Sequence, residues 1–192
     1  TAYTDKQSVK NLSSTNGATV TLYAQWTLNT YTISYDLGGG TLAKANPSTY
    51  NVNTETFTLN NPTKKGHTFT GWTGSNGATP SKTVTISKGS TGNKSYKANW
   101  SINSYTLTVD PNGGAWSSST NKQQFTQNYG TSKSIPDPVR KGYTFNGWTL
   151  TGKGTYNSST KQFTFDDGNG TLTANWTAHN LRVNYYSNTA YG

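Results

Sequence analysis

The sequence has no cysteine, no methionine and a single glutamate, Glu55, among 192 residues. Without cysteine there are no disulfides and no thiolate metal sites, although the compartment stays open. Good helix formers are scarce, which argues against helices. No apolar run is long enough to span a bilayer, and no charged-then-apolar leader is present in this stretch. A chain that opens at Thr1 with no methionine reads as a piece of something longer. The net charge is +9, yet no basic run exceeds two residues. Charge spread this way is a solubility feature, whereas nucleic-acid binders concentrate it on one face, so no nucleic-acid partner is expected.

Thr, Asn, Ser, Gly and Tyr dominate instead. Thr, Tyr, Val and Trp favour a pleated, half-buried surface, which predicts a mainly β fold with polar outer faces and little helix.

One stretch organises the chain. Gly66-His67-Thr68-Phe69-Thr70-Gly71-Trp72 returns 76 residues later as Gly142-Tyr143-Thr144-Phe145-Asn146-Gly147-Trp148. Each copy follows a proline and a basic pair: Pro62 with Lys64-Lys65, and Pro138 with Arg140-Lys141. A second series ends in tryptophan. Val20, Leu22, Ala24 and Trp26 alternate, as do Tyr96, Ala98 and Trp100, and Leu172, Ala174 and Trp176. Alternation marks a strand with one inward face. The spacing defines a tandem array with units of about 75 residues, each able to fold alone. The units read as 1–26 (the end of a truncated repeat), 27–101 and 102–177 (complete repeats), and 178–192 (the start of another).

Short links follow each closing tryptophan: Thr27 to Thr30, Ser101 to Ser104, and Thr177 to Asn180. An opening strand comes next, with inward rows Tyr31, Ile33, Tyr35; Tyr105, Leu107, Val109; and Leu181, Val183, Tyr185. Asp36-Leu37-Gly38-Gly39-Gly40 and Asp110-Pro111-Asn112-Gly113-Gly114 then signal a hairpin turn that needs positive φ. Tyr50, Val52, Phe57 and Leu59 are expected to form one return strand, with Phe125 and Ile135 marking its counterpart. Pro62 and Pro138 stop the ladder. Gly71 and Gly147, inside strand patterns, predict bulges that re-aim the following tryptophan. Val84 and Ile86, or Phe163 and Phe165, form a further strand, giving about five per unit.

Little in this pattern looks catalytic. His67 holds an aromatic register position, predicting a packed or half-buried imidazole, and His179 lies in a link. Asp36 and Asp110 recur at the turn entrance, where a carboxylate bonds turn amides. Asp166-Asp167-Gly168-Asn169-Gly170 lacks the full ligand series of a calcium loop and reads as a turn. No metal, cofactor or catalytic residue is expected. Five tryptophans, at 26, 72, 100, 148 and 176, hold repeated positions and are expected in the core. Trp116 alone has no repeated partner, making it the candidate for an exposed, ligand-facing aromatic. The dibasic sites Lys64, Lys65, Arg140 and Lys141 are the other candidate ligand contacts.

These residues resemble the Listeria–Bacteroides repeat, also called the internalin-type B repeat. The resemblance rests on Tyr105-Thr106-Leu107-Thr108-Val109-Asp110 with Asn112-Gly113-Gly114, on Pro138-Val139-Arg140-Lys141-Gly142-Tyr143-Thr144-Phe145 with Gly147-Trp148, and on Leu172-Thr173 with Trp176. It covers nearly the whole chain. His67 departs from the pattern where Tyr143 keeps it, as does Leu37-Gly38 against Pro111-Asn112. The resemblance implies a compact β-grasp-like fold, export, and display on a bacterial cell surface or wall. It implies a non-catalytic stalk or spacer within an adhesin or filament, with neighbouring repeats as partners and lateral self-association as a further expectation. The alternative is a module binding host or wall glycans or anionic polymers.

Overall fold

A computed structural model describes residues 4, 6–10, 12–117 and 119–184. The described residues contain fourteen strands and no helix. The first seven are β1 (Tyr31–Asp36), β2 (Thr49–Tyr50), β3 (Phe57–Thr58), β4 (His67–Gly74), β5 (Gly77–Ser81), β6 (Thr85–Ile86) and β7 (Lys94–Ile102). The second seven are β8 (Ser104–Asp110), β9 (Gln123–Asn128), β10 (Ser132–Ser134), β11 (Tyr143–Gly152), β12 (Thr155–Asn157), β13 (Gln162–Thr164) and β14 (Gly170–Ala178). The two sets build separate sheets. One has the order β2-β1-β7-β4-β5 beside a small β3-β6 pair; the other runs β11-β14-β8-β9 beside β10-β13-β12.

Each main sheet is built around its closing strand. β7 runs parallel to β1, from Ile33↔Lys94 to Asp36↔Lys97, and antiparallel to β4 on its other side. β14 likewise runs parallel to β8, from Gly170↔Leu107 to Thr173↔Asp110, and antiparallel to β11. The alternation read from the sequence places Tyr96 and Ala98, or Leu172 and Ala174, in the core. The parallel pairing covers the first four residues of each closing strand, and the antiparallel ladder runs on to Ile102 or Ala178.

The glycine bulges are present, and they explain the motif. Register shifts fall between Phe69 and Gly71 in one repeat and between Phe145 and Trp148 in the other. In an unbroken strand, residues three apart face opposite sides. The extra residue turns Trp72 onto the face of Phe69, and their rings meet edge-on at 5.4 Å; Phe145 and Trp148 do so at 5.3 Å. Phe69 also meets Trp100 and Phe145 meets Trp176, both at 5.4 Å. Small cross-strand partners make room, with Trp72 opposite Ala98 and Trp148 opposite Ala174. Edge-to-face geometry suits the ring quadrupoles.

The turns follow the sequence in part. Gly38 and Gly39 have φ of 56° and 82°, and Asn112 and Gly113 have 48° and 82°. The Asp36 carboxylate accepts from Gly38 N, and Asp110 from Asn112 N, both at 2.9 Å. The chain then wanders through a loop before pairing back, so no tight hairpin forms. The single return strand is also two strands. Thr49–Tyr50 joins the main sheet and Phe57–Thr58 joins β6, because a turn at Asn51 to Thr54 (2.9–3.0 Å bonds) breaks the run between them. β9 and β10 split in the same way around Asn128 to Thr131.

Three expectations are corrected outside and between the repeats. Val20, Leu22 and Trp26 form no strand and are exposed, Trp26 by 90%. Closing strands need an opening and a bulged strand on either side, and the described residues before Thr27 supply neither; alternation without partners does not make a sheet. Leu181 and Val183 are exposed for the same reason, while Tyr185 lies outside the described residues. The link between the repeats is a single residue, Asn103, because Ser101 and Ile102 continue the ladder against Thr68 and His67.

Two predictions follow from this core. The last glycine of each turn lies beneath an indole: a Cβ at Gly40 would stand 2.5 Å from Trp100 Cζ2, and one at Gly114 2.4 Å from Trp176 Cζ2. Gly40→Ala and Gly114→Ala are each expected to destabilise by about 1–3 kcal/mol through overpacking. Unchanged denaturant midpoints would refute the packing. Burial pushes the Tyr35 phenol up to about 12, with the Tyr96 phenol adding to it, and burial also raises Tyr96. The folded chain therefore keeps protons that unfolded phenols near 10.0 release. Stability is expected to hold below pH 10 and to fall as pH rises from about 10 towards 12. An ultraviolet phenolate titration during alkaline unfolding checks this.

Candidate functional site

The two basic pairs divide their labour. Lys64 donates from Nζ to the Gly38 carbonyl at 2.9 Å and stands 5.9 Å from the Trp100 ring centre. Arg140, in the same register position, reaches the Asn112 carbonyl at 3.4 Å, with its guanidinium 3.8 Å from the centre of the Tyr143 ring. The tryptophans tie into the same turns: Trp100 Nε1 donates to Leu37 O and Trp176 Nε1 to Pro111 O, both at 3.1 Å. The first basic residue of each pair therefore clips the opening turn to the entrance of the bulged strand, and the tryptophan clips the same turn to the closing strand.

The second basic residues differ. Lys65 bridges from the first repeat to Asp166 of the second at 2.7 Å. That hydrogen bond is the main reason the Lys65 ammonium titrates above its ordinary range and the Asp166 carboxyl below its own. Lys141 is exposed, and with Arg140 it borders a shallow depression also lined by Tyr143, Phe145 and Trp176. Trp116 does not line it. This indole is half-buried against the second core and donates to Pro136 O at 3.4 Å. The five residues singled out from the sequence do not converge on one site.

The remaining polar candidates are engaged locally. His67 is half-buried, its Nδ1 2.9 Å from Lys65 O. His179 meets the Thr144 hydroxyl through Nε2 at 3.0 Å. Asp137 pairs with Lys161 at 2.8 Å, Glu55 with Lys88 at 2.5 Å, and Asp110 with Lys122 at 2.9 Å. Asp167 accepts from the Tyr105 hydroxyl, so the acidic loop is a turn whose carboxylates each have a neighbour. No group of three or more metal-type ligands occurs among the described residues, and none of their helices could cross a membrane, there being no helix.

Sequence reasoning missed Asn103 and Tyr129. Asn29, Asn103 and His179 share one register position, a signal visible in the spacing. Tyr129 has no such marker. It matters only because the second repeat turns it back onto the first.

The comparisons with known proteins agree with the repeat register. Residues 31–99 match the Listeria-Bacteroides repeat domain, and residues 105–180 match the divergent InlB B-repeat domain. A protein of Evansella cellulosilytica named as a Gly-rich membrane protein is 33% identical over 175 residues, covering 88% of this chain and 19% of the relative. A second protein of that organism, named as a membrane protein, is 32% identical over 176 residues, covering 88% of this chain and 24% of the relative. The chain thus spans a fifth to a quarter of the curated relatives it matches. Two adjoining matches across residues 31–180, on two copies of one strand arrangement, place the chain in the Listeria–Bacteroides, or InlB B-type, repeat family.

Proposed function

We propose that this chain is a mechanical spacer: a non-catalytic stalk segment of a larger extracellular bacterial surface protein, its units bounded near residues 27–101 and 102–177. The observation carrying this reading is the parallel pairing of the first and last strands of each repeat. Tension entering at Tyr31 and leaving at Ile102 pulls β1 and β7 past one another along their length. Four registered pairs, Ile33↔Lys94 to Asp36↔Lys97, then resist together instead of opening one by one. β8 and β14 repeat the arrangement with four pairs of their own. Since one residue joins β7 to β8, load passes from one ladder into the next with little slack. The relatives' names as membrane proteins, and their greater length, fit a segment displayed from a membrane-associated parent.

A second reading, a module binding anionic glycans, draws on the corner where Arg140 stacks on Tyr143 beside exposed Lys141. Lys64, Lys65 and Trp116 give it less, being engaged within the array. Loss of binding to a sulfated polysaccharide column by Arg140→Ala would favour it; equal elution of wild type and variant would count against it.

Single-molecule pulling from the chain ends tests the spacer. Two unfolding events are expected, each releasing roughly 20 nm at about 3.4 Å per residue. Ser34→Pro removes a strand amide from β1 and should weaken one event while sparing the other. Extension without discrete events would refute the mechanical reading.

A further inference from the structure

The end of the first repeat that faces the second is a corner made of Lys65, Gly66 and His67, where the chain enters β4. Asn103, the link residue, is pinned across it. Its N–H donates to Gly66 O and its carbonyl accepts from Tyr129 N, both at 2.9 Å. The Thr68 hydroxyl donates to Asn103 Oδ1 at 2.6 Å. The Tyr129 ring then lies on Gly66: a Cβ there would stand 2.1 Å from the ring's Cγ. The same ring meets His67 edge-on at 6.0 Å. Lys65 closes the contact through Asp166, with its ammonium 6.0 Å from the Tyr129 ring centre.

The second repeat has the same corner at Lys141, Gly142 and Tyr143. His179 N donates to Gly142 O at 2.8 Å, and His179 Nε2 meets Thr144 Oγ1 at 3.0 Å, so the bonds of Asn103 to Gly66 and Thr68 recur. Among the described residues, no atom beyond its chain neighbours lies within 4 Å of a Cβ placed at Gly142. The link and its glycine belong to both repeats, whereas the ring and the carboxylate come from a neighbour.

We propose that the Lys-Gly-aromatic corner is a directional docking face for the leading end of the repeat that follows it, recognised through one aromatic ring and one carboxylate. The Lys141-Gly142-Tyr143 corner takes a partner of the same kind: a further repeat with a tyrosine-like residue after its β9 counterpart and an aspartate after its β13 counterpart. The leading end of the first repeat is of a different type. It carries Ser87-Lys88 after Ile86, where the second carries Asp166-Asp167 after Phe165, and Lys88 is joined to Glu55. The ring on glycine supplies the contact. The ion pair, whose side chains are 61% and 36% exposed, supplies selection more than strength. This inference rests on the spacer reading for its purpose, since docked neighbours are what makes a stalk stiff.

Spin labels test it in the intact chain, which has no cysteine to interfere. Lys82→Cys and Ser158→Cys place one label on each repeat at exposed positions. Electron–electron distance measurements should give one narrow peak. Tyr129→Ala and Lys65→Glu should each lose it, while Lys65→Glu with Asp166→Lys should restore it. Gly66→Ala should lose it and Gly142→Ala should keep it, although both glycines have positive φ (69° and 78°). The charge swap keeps the test decisive if Tyr129→Ala lowers the melting temperature of the second repeat, because Lys65 and Asp166 lie outside both cores. A broad native distribution, or a narrow one untouched by Tyr129→Ala and Lys65→Glu, overturns the proposal. Narrow peaks in a chain that yields to pulling without discrete events would sink the spacer and leave the docking face standing.

Discussion

Each repeat depends on one constraint: its last strand must be held between its first strand and the bulged strand of the Gly-aromatic-Thr-Phe motif. β7 and β14 are long, bonded on one edge to β1 or β8 over their first four residues and on the other to β4 or β11, and carry Tyr96 and Ala98 or Leu172 and Ala174 into the core. The fold cannot close until its most distant strands meet. That raises the entropic cost of closure, and the same topology sets the two ends of the repeat against each other in shear. The bulge serves this arrangement by turning a tryptophan onto the face where the closing strand offers alanine.

The repeats keep this frame while changing what surrounds it. In the first, buried Trp72 donates Nε1 to Asn61 Oδ1 at 3.0 Å. The second has Asp137 in that register position; it turns to Lys161, and Trp148 Nε1 is buried with no hydrogen-bond partner among the described residues. β5 covers the edge of β4 in the first repeat, and Pro80 and Ser81 crowd Gly71. The corresponding segment of the second repeat, β12, pairs with β13 instead and leaves space around Gly147. Differences of this sort alter the local fit of each unit without touching the parallel pair.

Much of this could be read from the sequence because it is local. Alternation gave the inward rows of β1, β7, β8 and β14; Asn112-Gly113 announced positive φ, and Gly71 and Gly147 announced bulges. Features set by distant partners could not be read so directly. Val20 to Trp26 alternates as well as any closing strand, yet it has no flanking strands and lies exposed. The return strand splits because Asn51 to Thr54 finds its own turn bonds, which compete with the ladder. The junction was hidden most completely. Tyr129 and Asp166 acquire their partners only when the second repeat folds back on Gly66 and Lys65. The basic pairs looked alike in sequence, but Lys64 and Arg140 clip turns within their own repeats while Lys65 reaches across.

On the spacer reading, resistance to load comes from shearing the first strand of each repeat against its last. The direct measurement moves the attachment points on the first repeat and leaves its sequence otherwise intact. With handles at Thr30 and Ile102 the pull shears β1 against β7; with handles at Leu37 and Ile102, the exit ends of both strands, it peels them apart pair by pair. A markedly higher unfolding force is expected for the first geometry. Equal forces would place the resistance elsewhere and contradict that reading.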